Sequence, residues 1–112
     1  MKILRPENEA VFRNDKMGKA TLFQSPHLLV GLNAFQAGQS HRLHVHDDMD
    51  KMYYVVSGSG RFLLAEDELP MTAGDLLVAP AGEPHGIANP GTERLLVLAV
   101  LAPGPGDSSR KP

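Results

Sequence analysis

Apolar residues along this chain come in short runs that are separated by clusters of glycine, proline, serine and aspartate. Runs of this kind at close spacing are typical of an all-β sandwich or barrel. A helix needs an uninterrupted apolar pattern of about 10 to 12 residues, and no interval between helix breakers after Gly31 shows one. The runs predict strands at residues 20–24, 28–35, 43–46, 52–56, 61–65, 69–72, 76–79 and 95–101.

The turns between these runs carry glycines, and a tight turn needs either a positive φ or a missing Cβ. The positions are Gly38, Gly58, Gly74 and Gly82. The final run, at residues 95–101, consists mainly of Leu and Val. That composition predicts a strand buried on both faces.

The domain organisation follows from the length of 112 residues, which leaves room for one core. Residues 1–26 are predicted to cover a sheet edge or to act as a dimer arm, because a bare edge strand invites aggregation. Residues 27–102 form the predicted barrel. Residues 103–112 hold no residue that can anchor a core, and they are predicted to be a disordered tail.

The charge and composition of the chain exclude several classes of partner and site. The chain has 11 Lys plus Arg against 13 Asp plus Glu, so it offers no basic stripe for a nucleic acid. It has no Cys, which excludes disulfides, thiolate nucleophiles and Cys-based metal sites. The longest apolar run, residues 95–102, is too short to span a membrane, and the first residues lack an apolar signal-peptide core. We expect a soluble, cytoplasmic protein with no nucleic-acid or membrane partner.

The histidines are the clearest candidates for chemistry. His44 and His46 lie two residues apart, so on a strand their imidazoles point to the same face and can converge on one metal ion. A third ligand must come from elsewhere, and the tight turn at residues 80–84 is expected to bring His85 onto an adjacent strand. Spacing alone leaves a metal site and a merely polar strand end as alternatives.

The wider context of these histidines contains two spaced patterns. The pattern G-x5-H-x-H-x4-K-x6-G spans residues 38–58, and G-x5-P-x-G-x2-H-x3-N spans residues 74–89. The first resembles the first motif of the cupin superfamily, with Lys where that family has Glu. The second matches the second motif at every fixed position. The resemblance covers residues 28–101 and is to the small single-domain microbial cupins.

The resemblance implies an all-β fold, a single double-stranded β-helix or jelly-roll barrel that opens at one end. It also implies a divalent transition metal, which would be Fe, Mn, Ni or Zn, held by His44, His46 and His85. The fourth ligand of the family is the Glu of the first motif, and Lys51 stands at that position. A protonated Lys amine has no lone pair, so it cannot ligate a metal.

Three arrangements remain open at this position. Three histidines alone hold the metal, with water or substrate completing the shell; or the loop shifts so that Asp50 coordinates; or the site has lost the metal, and Lys51 with the histidines binds an anion. We place the three-His metal site first. Strand alternation predicts that Lys51 faces the same side as Tyr53 and that Asp50 faces the opposite side.

Other side chains have supporting roles in this interpretation. His41 lies an odd number of residues from His44, so it is expected to face away and to form part of the rim, where it could add a ligand. Lys51 and Tyr53 are the candidate catalytic residues: the amine would orient a substrate carboxylate, and the phenol would donate or relay a proton. Asn89, before a Pro-Gly pair, is predicted to hydrogen-bond the backbone of a turn.

Two classes of function are compatible with this reading. The first is a metal-dependent cupin that binds or transforms a small organic molecule, whether as an oxygenase, an isomerase or a decarboxylase. The second is a metal-free module that binds or senses a small ligand in the same pocket, because a fold does not determine a function. In either case the family resemblance favours a homodimer.

Overall fold

The computed structural model describes residues 1–105. One short helix, α1 (Pro6–Glu9), precedes the strands. The strands are β1 (Gly18–Gln24), β2 (Leu29–Phe35), β3 (Ser40–His44), β4 (Asp50–Ser57), β5 (Ser59–Leu64), β6 (Glu68–Thr72), β7 (Leu76–Ala79), β8 (His85–Ala88) and β9 (Leu95–Ala102). The apolar runs mark all of these strands except β8, which carries His85 as the turn before it suggested.

The strands form two antiparallel sheets. The larger sheet has the order β1-β2-β9-β4-β7, and the smaller one has the order β3-β8-β5-β6. This arrangement confirms the predicted jelly-roll barrel. The last strand, β9, pairs with both β2 and β4 at the centre of the larger sheet, and residues on both of its faces are buried, as expected.

The predicted position of β3 was wrong by three residues. The strand begins at Ser40 and ends at His44, so His46 lies beyond its end rather than within it. Residues 40–42 are Ser, His and Arg, which give no apolar signal. Their extended conformation comes from antiparallel pairing with β8, a tertiary contact that hydrophobicity cannot indicate.

The main core lies between the two sheets and contains residues from both. Its members include Phe35, Tyr53, Val55, Phe62, Ile87, Leu95 and Val97. A second apolar cluster covers the outer face of the larger sheet, where Ala10 and Phe12 of the N-terminal segment pack near Leu96. The Arg94 guanidinium lies 4.2 Å from the centre of the Phe12 ring, which further ties this segment to its own sheet. The strand β1 that follows forms one edge of the sheet.

Asn89 connects three parts of the barrel. Its buried Nδ2 donates hydrogen bonds to the carbonyl oxygens of Phe35 (3.3 Å), Gln36 (3.1 Å) and Glu93 (2.8 Å). Its Oδ1 accepts one from the Gly91 N–H. The predicted role as a turn residue that bonds the backbone is confirmed. The four predicted turn glycines all have positive φ, between +80° and +95°.

The structure describes only the first residues of the predicted C-terminal tail. Residues 106–112 of the predicted tail lie outside the described residues. The residues just before them are described, and Gly104 and Pro105 are buried, with Gly104 against the turn at residues 25–28. Within residues 1–105, no helix has the length and apolar character needed to cross a membrane.

Candidate metal centre

Three histidines converge at one end of the barrel. His44 is the last residue of β3, His46 follows two residues later, and His85 opens β8, where it pairs with His44 across the two strands. One nitrogen from each ring can be chosen so that all three lie within 4.8 Å of one another. In the part of the chain that the structure describes, no other group of three His or acidic side chains comes together in this way.

Backbone contacts hold the loops that carry these rings. The His46 carbonyl oxygen accepts a hydrogen bond of 2.8 Å from the Gly82 N–H, so the turn before His85 is fastened to the segment after β3. Gly86 lets β8 approach β3 closely, because a Cβ there would lie 2.7 Å from the His41 carbonyl oxygen. The separation of His46 and His85 is therefore determined by main-chain packing.

The orientation of two of the rings is fixed by hydrogen bonds to carbonyl groups. His44 Nδ1 lies 2.8 Å from the Arg42 oxygen, and His85 Nδ1 lies 2.9 Å from the Glu83 oxygen. A carbonyl oxygen can only accept, so each Nδ1 carries the proton and each Nε2 has a free lone pair. The Nε2 atoms of His44, His46 and His85 are buried and have no hydrogen-bond partner. Three buried ring nitrogens without partners, on side chains that converge, fit a metal ion.

Burial keeps these imidazoles neutral, which is the form that ligates a metal. Loss of solvent lowers the pKa of His44 to about 4, and the nearby Lys51 charge acts in the same direction. Burial followed by the Lys51 charge also lowers the pKa of His46. The pKa of His85 is lowered by burial and by Lys51, against a raising effect of its bond to Glu83.

Lys51 occupies the inner wall beside the three rings. Its side chain is 2% exposed and faces the barrel interior with Tyr53, as strand alternation predicted. Its Nζ lies 4.9 Å from the centre of the Tyr53 ring. Burial, together with the charge of Lys19, lowers the pKa of Lys51 to about 8. The amine is therefore mainly protonated at neutral pH and cannot act as a fourth ligand.

Asp50 points outward, and the structure does not bring it to the histidines. Its carboxylate accepts a hydrogen bond of 2.8 Å from the Ala81 N–H, which anchors the turn before His85. Asp50 also lies outside the group of side chains whose nitrogen or oxygen atoms converge.

His41 does not face away from the site, so the expected orientation was wrong. Its ring stacks on that of His44, with centroids 4.3 Å apart and an angle of 28° between the planes. The pairing of β3 with β8 shifts register between these two residues, and this irregularity cancels the simple alternation of sides. His41 Nδ1 is buried without a hydrogen-bond partner, and burial lowers the pKa of His41 to about 3.

Tyr53 lies at the floor of the site. Its ring is fully buried, stacks against Phe62 at 5.9 Å and lies 6.0 Å from the His85 ring. Its hydroxyl group has no hydrogen-bond partner among the described residues, and burial raises the pKa of the phenol. The hydroxyl is therefore protonated at neutral pH and available as a donor.

A cavity of about 220 Å³, bordered by residues of β1, β2, β3, β4 and β9, reaches Lys51 beside the three histidines. Its lining includes Lys51, Lys19, Asn33, His41, Ala99 and Leu101. Sequence reasoning missed Asn33, which is 6% exposed and whose Nδ2 has no partner. A signal was present: Asn33 shares one face of β2 with Leu29, Gly31 and Phe35, so a polar residue stands at an inward position of an apolar strand.

Comparison with known proteins places these features in a family context. A sequence model of the cupin domain matches residues 31–101. Among curated proteins, the chain is 38% identical over 64 residues to a protein of Thermotoga maritima named oxalate-binding protein. That match covers 57% of this chain and 53% of the relative, so the chain spans about half the length of the curated relatives it matches.

Solved structures of other proteins are similar in fold to this barrel. The protein TT1209 of Thermus thermophilus is 37% identical and superposes with a TM-score of 0.88 over 94% of this chain and 100% of its own. A protein of Thermotoga maritima described as a predicted oxalate decarboxylase is 25% identical, with a TM-score of 0.78 over 90% of this chain and 98% of its own. These similarities extend well beyond the two motifs.

Proposed function

This chain belongs to the cupin domain family, and from that premise we propose that it binds one divalent transition metal through His44, His46 and His85 and receives a small organic molecule in the barrel beside the ion. The observation that carries this proposal is the set of three buried Nε2 atoms without partners. The residue types support it as well, because imidazole is a good ligand for Fe, Ni and Zn and is compatible with Mn. Three protein ligands leave positions open for water or substrate.

The chain's own residues would act on the organic molecule from two sides. When bound, the metal supplies a Lewis acid or, for iron or manganese, a redox centre. Lys51 would attract and orient an anionic group of the substrate, because its buried ammonium offers three donors. Tyr53 would donate a hydrogen bond from its unpartnered hydroxyl. The relative named for oxalate binding supports a small organic acid as the ligand.

A metal-free ligand-binding or sensing module is the alternative function. The observation that favours it is Lys51 itself, since a buried cation beside the three histidines opposes the binding of a divalent ion. In this alternative, Lys51 and the neutral imidazoles would hold the ligand by themselves. The two functions differ in whether the purified protein carries a metal.

The metal content of the purified protein distinguishes the two functions. Untagged protein is produced with Fe, Mn, Ni and Zn in the medium, and its metals are measured by elemental analysis. The proposal expects about one equivalent of transition metal in the wild type and almost none in His44→Ala. His27→Ala is the matched control, because His27 is exposed and outside the triad, and it should retain the metal. Wild-type protein that stays metal-free with all four metals supplied would overturn the metal proposal.

We also propose that the chain forms a homodimer. On the outer face of the larger sheet, Leu76 and Val78 of β7 are 57% and 54% exposed, and Tyr54 lies directly opposite Leu76 on β4. The strand β7 is an edge of that sheet, so apolar side chains and unpaired backbone groups occur together. A second copy of the chain would cover both through a two-fold contact. Cytoplasmic location stays a prediction.

A further inference from the structure

Lys51 is a buried cation without a counter-ion. Within residues 1–105, no acidic side chain forms an ion pair with it, and the charged group that acts on its pKa is another cation, Lys19. Burying an ammonium group without a paired charge is strongly unfavourable. The arrangement is therefore incomplete without an anion from beyond the described residues.

The cavity beside Lys51 has the electrostatic character that such an anion requires. Its lining contains two lysines and no acidic residue. Lys51 lies towards the histidine end, where its charge lowers the pKa of each of the three triad residues. Lys19 lies at the β1 side, directly opposite Asn33 in the pairing of β1 with β2. An anion inside would meet positive charge from both directions.

Asn33 adds a hydrogen-bond donor to this lining. Its buried Nδ2 is unpartnered, although most buried polar groups in proteins are satisfied. The amide lies on a strand whose other residues are apolar or glycine. An oxygen of a bound ligand would satisfy it.

We propose that this cavity is a carboxylate subsite and that the ligand is a small dicarboxylate. One carboxylate neutralises Lys51, and the other is directed to the metal. Only the placement of the second carboxylate at the metal rests on the proposed function. The cavity volume of about 220 Å³ limits the size of the acid, since it equals the liquid volume of about seven water molecules. It is smaller than the pockets that hold drug-sized ligands.

A wider groove adjoins the cavity. Lys19 and His41 line both the cavity and a groove of about 650 Å³ beneath the N-terminal segment. The groove is also lined by Lys16, Arg42 and Arg13, of which Arg13 is paired with Asp15. The excess of positive charge there would draw an anion towards Lys51.

Malonate is the probe that tests the subsite, with malonamide as its uncharged counterpart of similar shape. Calorimetric titrations use the full chain, both stripped of metal and loaded with Zn²⁺. Malonate should bind the wild type, and malonamide should bind far more weakly. Lys51→Met should weaken malonate binding about tenfold or more, because a charge-assisted contact is lost. Lys2→Met, the same change at an exposed position, should leave the affinity unaltered.

A second variant keeps the test valid where Lys51→Met fails to fold. Asn33→Asp preserves the side-chain shape but turns a donor into a competing anion beside Lys51, so it should weaken malonate binding at least as strongly. Circular dichroism and thermal unfolding verify the fold of each variant. The inference is overturned where malonate does not bind the wild type, where malonamide binds equally well, or where folded Lys51→Met and Asn33→Asp retain wild-type affinity.

The two metal states separate this inference from the metal proposal. Binding of malonate to metal-free protein that depends on Lys51 supports the subsite even where Zn²⁺ does not bind. Binding of Zn²⁺ together with malonate affinity that is independent of Lys51 overturns the subsite and leaves the metal site intact.

Discussion

The Nζ atom of Lys51 lies 4.9 Å from the centre of the Tyr53 ring, and both side chains are fully enclosed by the barrel. A cation above an aromatic face gains about 0.5 to 2 kcal/mol. This gain offsets only part of the several kcal/mol that burial of an ammonium group costs. Most of the cost of burying Lys51 therefore stays uncompensated without an anion, and the charged side chain should make the folded protein less stable.

Replacing Lys51 by Met should stabilise the ligand-free, metal-free protein. Folding lowers the pKa of Lys51 from 10.5 to about 8, so the unfolded chain holds the proton more tightly. At pH 7 both states are protonated and nearly the full destabilisation is present, which corresponds to about 3 kcal/mol. Urea unfolding at pH 7 measures it.

The stability gained by Lys51→Met should decrease as the pH rises above 8. Between pH 8 and 10.5 the unfolded state keeps a proton that the folded state releases, so wild-type stability rises relative to Lys51→Met. The advantage of the variant should shrink by pH 10. A gain that is equal at pH 7 and pH 10 would show that packing, and not the charge, is responsible.

Lys51→Glu should raise metal affinity by about tenfold or more, because it removes a repulsive cation and adds a carboxylate at the wall beside the histidines. Competition with a chelator for Zn²⁺ measures the change. The same substitution at an exposed position, Lys2→Glu, is the control for net charge. Equal affinities in Lys51→Glu and the wild type would mean that the side chain at position 51 does not reach the ion.

Asn89→Ala should lower the free energy of unfolding by about 2–4 kcal/mol, because it removes three buried donor contacts and one acceptor contact at once. Chemical denaturation provides the measurement. Asn8→Ala changes an exposed asparagine and should have almost no effect. A loss below about 1 kcal/mol would indicate that the neighbouring carbonyl groups are satisfied without Asn89.

Val78→Glu should convert a dimer into a monomer, since it places a charge on the exposed apolar face that we assign to the second copy. Light scattering coupled to size-exclusion chromatography reports the mass directly. Leu69→Glu alters a comparably exposed apolar residue on the other sheet and should leave the mass unchanged. A monomeric wild type would refute the dimer, and a Val78→Glu dimer would place its interface elsewhere.

Much of the barrel could be predicted because its strands are apolar and its corners are glycines. Strand β7 was placed at the residues where it occurs, and Gly38, Gly58, Gly74 and Gly82 adopt the backbone angles expected of them. Strand β3 was misplaced because its first residues are polar and its conformation depends on pairing with β8. A local hydrophobic pattern therefore indicates a strand only where the strand itself is apolar.

Some features of the candidate site could likewise be predicted from the sequence, and others could not. The convergence of His44, His46 and His85 was anticipated from a two-residue spacing and a turn. The side on which His41 lies was not, because a register shift between paired strands leaves no trace in residue type. The inward position of Asn33 could have been inferred from the alternation along β2, but the lack of a partner for its Nδ2 depends on how several strands meet around one cavity.

The position of β9 determines when the barrel can assemble. It is the last strand within residues 1–105, yet it lies between β2 and β4, so neither of these strands has its inner neighbour in the larger sheet until residue 102 is present. During synthesis, the first 94 residues must therefore remain without a complete core. Pairing of β2 with β9 also joins residues 60 to 72 positions apart, a high contact order that favours slow folding. A growing chain of this protein is thus exposed to aggregation until its final strand arrives.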